Sequence, residues 1–240
     1  MISKTVLSLI ILLGIMIPCG FSQDYEKDVI PASDGPIEIT FIKHATLMIR
    51  YNNKVIHIDP VSMFGTDYSK MPKADIILLT HEHPDHLDAK AIEQIRTGNT
   101  VILQNEGCYK SLGSGEVMKN GDHKTVFGID IDAVPAYNLT ARNHPKGVGN
   151  GYVLHLGNKK VYIAGDTENI PEMSDLKDIN IAFLPMNKPF TMSPEQVAEA
   201  AIRIRPEILY PYHYSQTNTD ELIQLLQNEK GIDVRIRQMQ

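Results

Sequence analysis

Short apolar runs alternate with polar and turn-forming residues from position 37 to the end of the chain. Most runs are rich in Ile, Val, Leu and Tyr and are bounded by Gly, Asn, Asp or Pro, which predicts β-strands. Gly157-Asn158 is a tight-turn signal between two runs and predicts a hairpin over 152–164. The predicted strand segments are IEITFIKHATLMIRY, KVIHID, DIILLT, TVILQ, IDIDAVPAY, GYVLHLG, KKVYIAG, INIAFLP, EILYPYHY and DVRIR.

Helical signals lie between some of the strands. The segment 193–196, Ser-Pro-Glu-Gln, is a capping box with proline at the first helical position, and apolar residues follow it at helical spacing. Two further helices are predicted, one after Asn218 and one over 87–95. Many strands with helices between them, without a repeat or a second-domain boundary, predict an α/β or α+β fold with a large sheet content.

The first 22 residues have the pattern of a secretory signal peptide. Lys4 forms a short positive region, an apolar run covers 5–17, and Gly20 and Ser22 are the small residues of a cleavage site. The apolar run is short for a membrane span. We therefore predict that this segment directs export to the periplasm or the medium and is then removed.

Two alternatives to a cleaved signal peptide apply to residues 1–22. The segment could stay as an uncleaved membrane anchor, or Cys19 could be lipidated, although Pro18 fits a lipoprotein cleavage site poorly. The polar residues 23–36 are predicted to be a linker, and 37–240 to form one domain. After residue 22, no segment of the sequence is apolar and long enough to cross a membrane.

Charge and cysteine content narrow the class of protein. The 240 residues carry a net charge of −6, and loss of Lys4, the only charged residue among the first 22, makes it −7. An acidic chain lacks the basic surface that binders of nucleic acid or anionic membranes need, which argues against both kinds of partner. Cys108 is the only cysteine after the predicted cleavage, which excludes an internal disulfide. We therefore expect the core, together with bound metal, to stabilise the exported chain.

Polar residues able to bind metal follow several predicted strands directly. Asp59, Asp166 and His213 come at or just after the end of an apolar run, and so does the cluster 81–86. Alone, Asp166 could be a turn residue and His213 a half-buried strand residue. A sheet protein that ends several strands in His or Asp, however, places a site at its edge, where rigid elements hold the side chains.

The segment LLTHEHPDHLD (78–88) contains the densest group of such residues. Three of the nine histidines fall within six positions, which an ordinary solvated loop would produce only by coincidence. His81 and His83 are expected to face one position, and Asp85 and His86 a second position nearby, with the intervening residues as spacers. Imidazole together with carboxylate suits Zn²⁺, with Mn or Fe as alternatives.

The motif THEHPDH resembles the His-x-His-x-Asp-His signature of the metallo-β-lactamase superfamily. Further matching segments follow in order across nearly the whole chain after the predicted signal peptide: FIKHATLMIRYNNKVIHIDP, ADIILLTHEHPDHLD, VYIAGDT, IAFLPMNKPFTMSPEQVAEAA and ILYPYHY. The series is similar to the ascorbate-6-phosphate-lactonase-like (UlaG-like) branch of metal-dependent hydrolases. The resemblance implies a four-layer αββα sandwich with two divalent metal ions at one edge of the paired sheets.

The resemblance also implies a ligand set. Its members are His81, His83 and a later histidine for the first metal, Asp85, His86 and His213 for the second, and Asp166 as the bridge between them. Relatives often carry the later histidine directly after a Pro-Ala-aromatic step, where this chain has Asn138. We assign the role to His144, six residues further on. The alternative is that His144 belongs to a mobile loop, and that Asn138 or water completes the site.

Further residues are expected around the metals. His44 matches a position that the branch tends to keep and is expected at the edge of the site, and Asp59 is expected to orient a ligand histidine through its other ring nitrogen. Tyr137 and Asn138 could line the pocket, and Lys188 could offer positive charge to an anionic substrate. The remaining histidines are interpreted as structural: His57, His123 and His155.

Two divalent ions a few ångströms apart would lower the pKa of a bridging water enough to give hydroxide, which attacks a carbonyl or phosphoryl group. Asp85 would orient this water or accept its proton. The favoured function is therefore hydrolysis of an ester, lactone or phosphoester by an exported enzyme, with a small molecule as the expected substrate. One alternative is a metallo-β-lactamase, which is disfavoured because that branch usually has a cysteine where Asp166 stands. The other is a non-enzymatic protein that binds metal or another ligand.

Overall fold

The computed structural model describes residues 25–140 and 142–239, so the predicted signal peptide lies outside the described residues. They form two seven-stranded sheets, and in each sheet the strands lie side by side in chain order. The first sheet consists of β1 (Glu26–Ile30), β2 (Ile37–Lys43), β3 (Thr46–Tyr51), β4 (Lys54–Ile58), β5 (Ile76–Leu79), β6 (Val101–Gln104) and β7 (Glu116–Val117). The second consists of β8 (His123–Val126), β9 (Ile129–Ala136), β10 (Gly149–Leu156), β11 (Lys159–Ile163), β12 (Ile181–Pro185), β13 (Ile208–Tyr212) and β14 (Asp233–Val234).

Each sheet changes from antiparallel to parallel pairing half-way across. In the first sheet β1 to β4 are antiparallel neighbours, and β4 to β7 run parallel. In the second, β8 to β11 are antiparallel and β11 to β14 parallel. Antiparallel neighbours need only a tight turn, whereas parallel neighbours need a crossover, and all the helices of the described residues lie in these crossovers.

The described residues contain four α-helices: α1 (Ala89–Ile95), α2 (Glu106–Leu112), α3 (Pro194–Ile204) and α4 (Thr219–Leu226). Three confirm predicted helices, and α3 begins with the predicted capping box at Ser193. The pattern does not predict α2, because this helix is only seven residues long and includes Gly107. Two short 3-10 helices cover Tyr68–Lys70 and Pro171–Asp175. No helix in this part of the chain is long and apolar enough to cross a membrane.

The two sheets pack face to face through large side chains. The ring centroid of Phe41, in the first sheet, lies 5.0 Å from that of Tyr210 and 6.2 Å from that of Phe183, both in the second. All residues of β5, β12 and β13 are buried. These parallel strands are covered on both faces, which explains their continuous apolar sequences. Burial of each large apolar side chain contributes about 1.5–3 kcal/mol.

The segment predicted as a linker contains a strand. Residues 26–30 form β1, which pairs with β2 at the edge of the first sheet, so the prediction of a linker over 23–36 is wrong for these residues. Only Ile30 of β1 is buried. Asp28 instead accepts hydrogen bonds from Arg237, whose Nη2 lies 2.7 Å from its Oδ2. An edge strand attached by an ion pair lacks the apolar alternation on which strand prediction depends.

The predicted hairpin over 152–164 is confirmed. β10 and β11 pair antiparallel from Tyr152 opposite Ile163 to Leu156 opposite Lys159. Gly157, at the turn, has a φ of 62°, a left-handed value that glycine adopts without a steric penalty.

His57 is a buried titratable group outside the metal-binding residues. It lies in β4, its Nε2 is 3.1 Å from the carbonyl oxygen of Pro72, and the ring of Tyr68 and the charge of Arg50 are its neighbours. Burial lowers the pKa of His57 to about 4. The unfolded chain takes up this proton near pH 6.5 and the folded chain only near pH 4, so stability is lost as the pH falls below about 6.5.

We expect His57→Gln, which keeps a hydrogen-bond donor to the carbonyl oxygen of Pro72, to reduce the loss of folding stability at low pH. Between about pH 7 and about pH 5, the free energy of unfolding of the wild-type chain should include a decrease of about 2 kcal/mol from His57, and the variant should lack it. Urea unfolding at the two pH values measures the difference. Asn99→Gln, at an exposed position without a titratable side chain, is the control and should keep the wild-type decrease. Equal decreases in the wild type and His57→Gln would contradict the prediction.

Candidate metal centre

Strand ends from both sheets meet at one edge of the sandwich. In the first sheet, Asp59 directly follows β4 and His81 comes two residues after β5. In the second, Asp166 closely follows β11 and His213 directly follows β13. β4 and β5 are parallel neighbours, and β11 and β13 both run parallel to β12, so each set of strands delivers its polar residues at its C-terminal ends. The structure thus brings the predicted residues together.

The first cluster consists of His81, His83 and His144. The three histidines each offer a ring nitrogen, and these nitrogens lie within 4.8 Å of one another. His81 Nε2 is 3.0 Å from His83 Nδ1, and the His144 ring packs 4.9 Å from the His83 ring between centroids. The loop between β9 and β10 therefore carries His144 to the position assigned from the sequence.

The second cluster consists of His44, Asp85, His86 and His213, whose ligand atoms also lie within 4.8 Å of one another. Asp85 Oδ2 is 3.5 Å from His213 Nε2 and 3.8 Å from His86 Nε2. His44 Nε2 is nearer, at 3.2 Å from the same oxygen. His44 thus lies among the ligand atoms and not only at the edge of the site.

Asp166 lies between the two clusters. Its Oδ2 is 3.3 Å from His144 Nε2 in the first cluster and 3.3 Å from His213 Nε2 in the second. Its Oδ1 is 3.4 Å from His86 Nε2. One buried carboxylate therefore contacts histidines of both clusters.

Several polar atoms that face this space have no hydrogen-bond partner among the described residues. These buried atoms are His86 Nε2, His144 Nε2, His213 Nε2 and Asp166 Oδ1. Buried polar atoms almost always have partners, so their convergence requires an explanation. Bound metal would satisfy these atoms, because a lone pair on imidazole and a carboxylate oxygen are both metal ligands. The residues present therefore fit a metal ion.

Charge compensation keeps the two acidic groups ionised. Burial raises the pKa of Asp166, but its electrostatic interactions with His213 and His86 outweigh burial and hold this pKa well below its usual range. Burial also raises the pKa of Asp85, but hydrogen bonds from His213 and His44 have the larger effect. The net result is a pKa below its usual range. Burial lowers the pKa of His81, which favours the neutral imidazole that metal binding requires.

Asp59 orients one ligand histidine, as expected from the sequence. Its Oδ2 is 2.8 Å from His86 Nδ1, which leaves Nε2 of that ring facing the clusters. Asp59 is itself held by Thr80, whose backbone N–H and side-chain hydroxyl donate to it at 2.8 and 2.7 Å. The Thr80 hydroxyl oxygen is also 3.0 Å from His81 Nδ1. Two residues outside the clusters, Asp59 and Thr80, thus orient the rings of His86 and His81 respectively.

Asn138 plays the corresponding part for His144. Asn138 Oδ1 lies 2.5 Å from His144 Nδ1, and its Nδ2 donates to the carbonyl oxygen of Phe190 at 3.1 Å. The backbone N–H of Asn138 also donates to the carbonyl oxygen of His144 at 2.8 Å. An amide oxygen can only accept, so Nδ1 of His144 carries the proton and its Nε2 is the free nitrogen.

Three residues of the site have left-handed backbone conformations. The φ angles are 55° at His44, 44° at Asp59 and 50° at His213. Such a conformation costs a non-glycine residue about 1–2 kcal/mol. Strain of this kind persists where surrounding contacts hold it and is typical of functional sites.

Lys188 and Tyr137 are engaged elsewhere. Lys188 Nζ lies 3.3 Å from Glu168 Oε1, and the Tyr137 hydroxyl donates to Glu172 at 2.8 Å. Glu168, which was not predicted as a site residue, is buried and accepts hydrogen bonds from the backbone N–H groups of Leu139 and Thr140 at 2.8 and 3.0 Å. Glu168 therefore secures the segment that carries Asn138. Its position two residues after Asp166 is the only sequence signal for this role.

The other histidines lie outside both clusters. His123 Nδ1 and His155 Nε2 lie 2.6 and 2.7 Å from the two carboxylate oxygens of Asp132 on β9. Glu82, interpreted as a spacer, accepts a hydrogen bond from Asn105 Nδ2 at 2.8 Å and so links the 81–86 loop to the start of α2.

Comparison with known proteins identifies the family. Residues 38–213 match the family model described as the β-lactamase superfamily domain. The chain belongs to the metallo-β-lactamase superfamily. Its two sheets and four helices confirm the predicted fold class.

The relatives of this superfamily member narrow the assignment. The chain is 32% identical over 193 residues to a UPF0173 metal-dependent hydrolase of Thermococcus onnurineus, covering 75% of this chain and 85% of that protein. It is 31% identical over 221 residues to one of Methanopyrus kandleri, covering 83% and 95%. A solved structure from Parabacteroides distasonis, also named as a metal-dependent hydrolase, is 52% identical with a TM-score of 0.87 and covers 90% of this chain and 100% of that chain. The chain belongs to the UPF0173 family and is a metal-dependent hydrolase.

We expect Asn138→Leu to weaken metal binding at the first cluster, because it removes the acceptor that orients His144. Partners of this kind typically contribute about 10- to 100-fold in metal affinity. A Zn²⁺ titration in competition with a chromophoric chelator measures the loss.

Two control variants separate this effect from damage to the loop. Asn138→Asp keeps the acceptor for His144 and loses the donor to Phe190, so it should retain most of the affinity. Asn99→Leu, at an exposed position outside the centre, should retain all of it. Unchanged Zn²⁺ affinity in Asn138→Leu would show that metal binding by His144 does not depend on orientation by Asn138.

Proposed function

We propose that this metal-dependent hydrolase uses two divalent ions. His81, His83 and His144 would hold one ion, and the second cluster would hold the other. The supporting observation is that Asp166 Oδ2 lies 3.3 Å from histidine nitrogens of both clusters. A carboxylate in this position can serve two ions at once. When bound, such ions supply Lewis acidity and lower the pKa of coordinated water.

Asp85 is the carboxylate that can handle protons at this centre. Its side chain is 32% exposed, whereas that of Asp166 is 4% exposed. His44 and His213 lie within 3.5 Å of its Oδ2 and keep it ionised. An ionised and accessible carboxylate can orient a water molecule or accept its proton. We assign Asp85 this role and Asp166 the role of holding the ions together.

The proposed reaction is hydrolysis of an ester, lactone or phosphoester of a small molecule. Neither cluster contains a serine or cysteine that could act as a nucleophile, and Cys108 lies buried on α2. Similarity of the motifs to the UlaG-like branch supports this class over β-lactams. Nucleic acid is not proposed as a partner, because the chain is acidic.

We also propose the identity of the metal and the cellular location of the protein. Zn²⁺ is the favoured ion because the clusters are rich in imidazole, with Mn and Fe as alternatives. Export to the periplasm or the medium is supported by Lys4 and the apolar run 5–17.

Metal analysis of site variants tests the two-ion proposal. The purified wild-type chain should contain about two Zn²⁺ per chain, and His144→Ala and His213→Ala should each lose about one, since each removes a ligand from a different cluster. His155→Ala, on the second sheet outside the clusters, should keep both. Loss of one site should lower turnover of a responsive ester, lactone or phosphoester at least about 100-fold.

Three results would contradict this proposal. A wild-type chain saturated by one ion would exclude the two-ion centre. Faster turnover of nitrocefin than of any ester, lactone or phosphoester would favour a β-lactamase. Metal binding without turnover of any of these probes would favour a binding protein.

A further inference from the structure

Several exposed apolar side chains lie on loops that border the metal centre. Eleven large hydrophobic residues are exposed among the described residues, and four of them lie on loops next to the two clusters. These four are Met63, Leu139, Val148 and Phe190, with exposures of 60, 53, 40 and 47%. They come from three separate loops, those between β4 and β5, between β9 and β10, and between β12 and α3. Such a grouping at a site indicates an interaction surface.

Two apolar residues lie directly against the clusters. The ring of Phe64, next to Met63, has its centroid 4.7 Å from that of His44 in the second cluster. Val148 lines a cavity together with His83, His144 and Asp166 of the first cluster and its bridge. We call Met63, Phe64, Leu139, Val148 and Phe190 the apolar collar. The collar thus borders the centre on the sides of both clusters.

The inner cavity is too small for a substrate. Its volume is about 20 Å³, which is room for about one water molecule. Three cluster residues are partly exposed: Asp85 at 32%, His44 at 15%, and His83, which is half-buried. A substrate would therefore have to approach these partly exposed residues from outside, next to the collar.

The charges near this opening do not favour a phosphate group. Lys188 is paired with buried Glu168 at 3.3 Å, and Lys146 with Glu172 at 2.7 Å. The exposed Arg142 is the cation on the β9–β10 loop through which an anionic substrate could still be recognised. With two cations paired and five apolar side chains around the opening, the surface is better suited to an uncharged apolar group.

Building on the proposed function, we propose that the substrate is a carboxylic ester or lactone with an apolar acyl chain, and that the collar binds this chain. In the reaction a water oxygen forms a bond to the acyl carbon, the bond from that carbon to the alcohol oxygen breaks, and the alcohol oxygen takes up a proton. This proton is the one that the water loses, so an ester gives a carboxylic acid and an alcohol, and a lactone gives one hydroxy acid. Contacts between the chain and the collar would account for selection among esters.

The test uses the Zn²⁺-loaded full chain and p-nitrophenyl esters of acetate, butyrate, hexanoate and octanoate. Full burial of one methylene group corresponds to about a fourfold effect, and a partly exposed surface should give about half of that factor. We therefore expect kcat/KM to rise about twofold per methylene, or about 16-fold from acetate to hexanoate. Phe64→Ser and Phe190→Ser should each lower the hexanoate-to-acetate ratio by at least about threefold.

Matched controls define what would overturn the proposal. Ile202→Ser replaces a similarly exposed residue of α3 outside the collar and should keep the wild-type ratio. The metal content of every variant is measured, so that a changed ratio is not confused with metal loss.

A flat chain-length series, or ratios in the collar variants equal to that of the wild type, would overturn the proposal about the acyl chain but not the proposed hydrolase function. Preference for phosphoesters that is lost in Arg142→Gln would overturn it in favour of anion recognition. Absence of metal-dependent turnover of every ester, lactone, phosphoester and β-lactam would instead defeat the proposed function itself.

Discussion

Asp166 places a carboxylate in the interior of the protein, where an uncompensated charge is very unfavourable. Histidines from both clusters lie within 3.4 Å of its two oxygens, and their free nitrogens face the same space. Neutral imidazoles alone do not balance this charge, whereas metal cations do. The position of Asp166 thus requires strand ends of both sheets to meet, because His86 follows β5 whereas Asp166 and His213 follow β11 and β13.

The strained turn at His44 depends on the two ends of the described chain. The backbone N–H of His44 donates to the carbonyl oxygen of Met239 at 2.5 Å, and that of His213 donates to the carbonyl oxygen of His44 at 3.0 Å. The segment before Met239 is attached to β1 through the ion pair of Arg237 with Asp28, at 2.7 Å. The polar edge strand and the C-terminal segment therefore hold two histidines of the second cluster in left-handed conformations.

The groups around the clusters connect metal binding to the opening of the site. Asn138 contacts both His144 and the backbone of Phe190, and Glu168 holds the residues that follow Asn138. A ligand of the first cluster is thus mechanically linked to the loop that carries part of the apolar collar. In the same way, Thr80 and Asp59 link the orientations of His81 and His86. Short side-chain contacts thus connect the clustered histidines to the loops that border the opening.

Local signals in the sequence were sufficient for much of the fold and for part of the site. The 81–86 cluster, the capping box of α3 and the Gly157 turn are each encoded within a few residues, so spacing alone identifies them. Placement after apolar strands was sufficient to single out Asp166 and His213. Only the tertiary structure decided that His44 joins the second cluster, that Asn138 orients His144, that Glu168 secures the neighbouring loop, and that β1 is a strand. These features depend on contacts between residues far apart in the sequence, which form when the sheets and loops pack together. Neither periodicity nor composition carries information about such contacts.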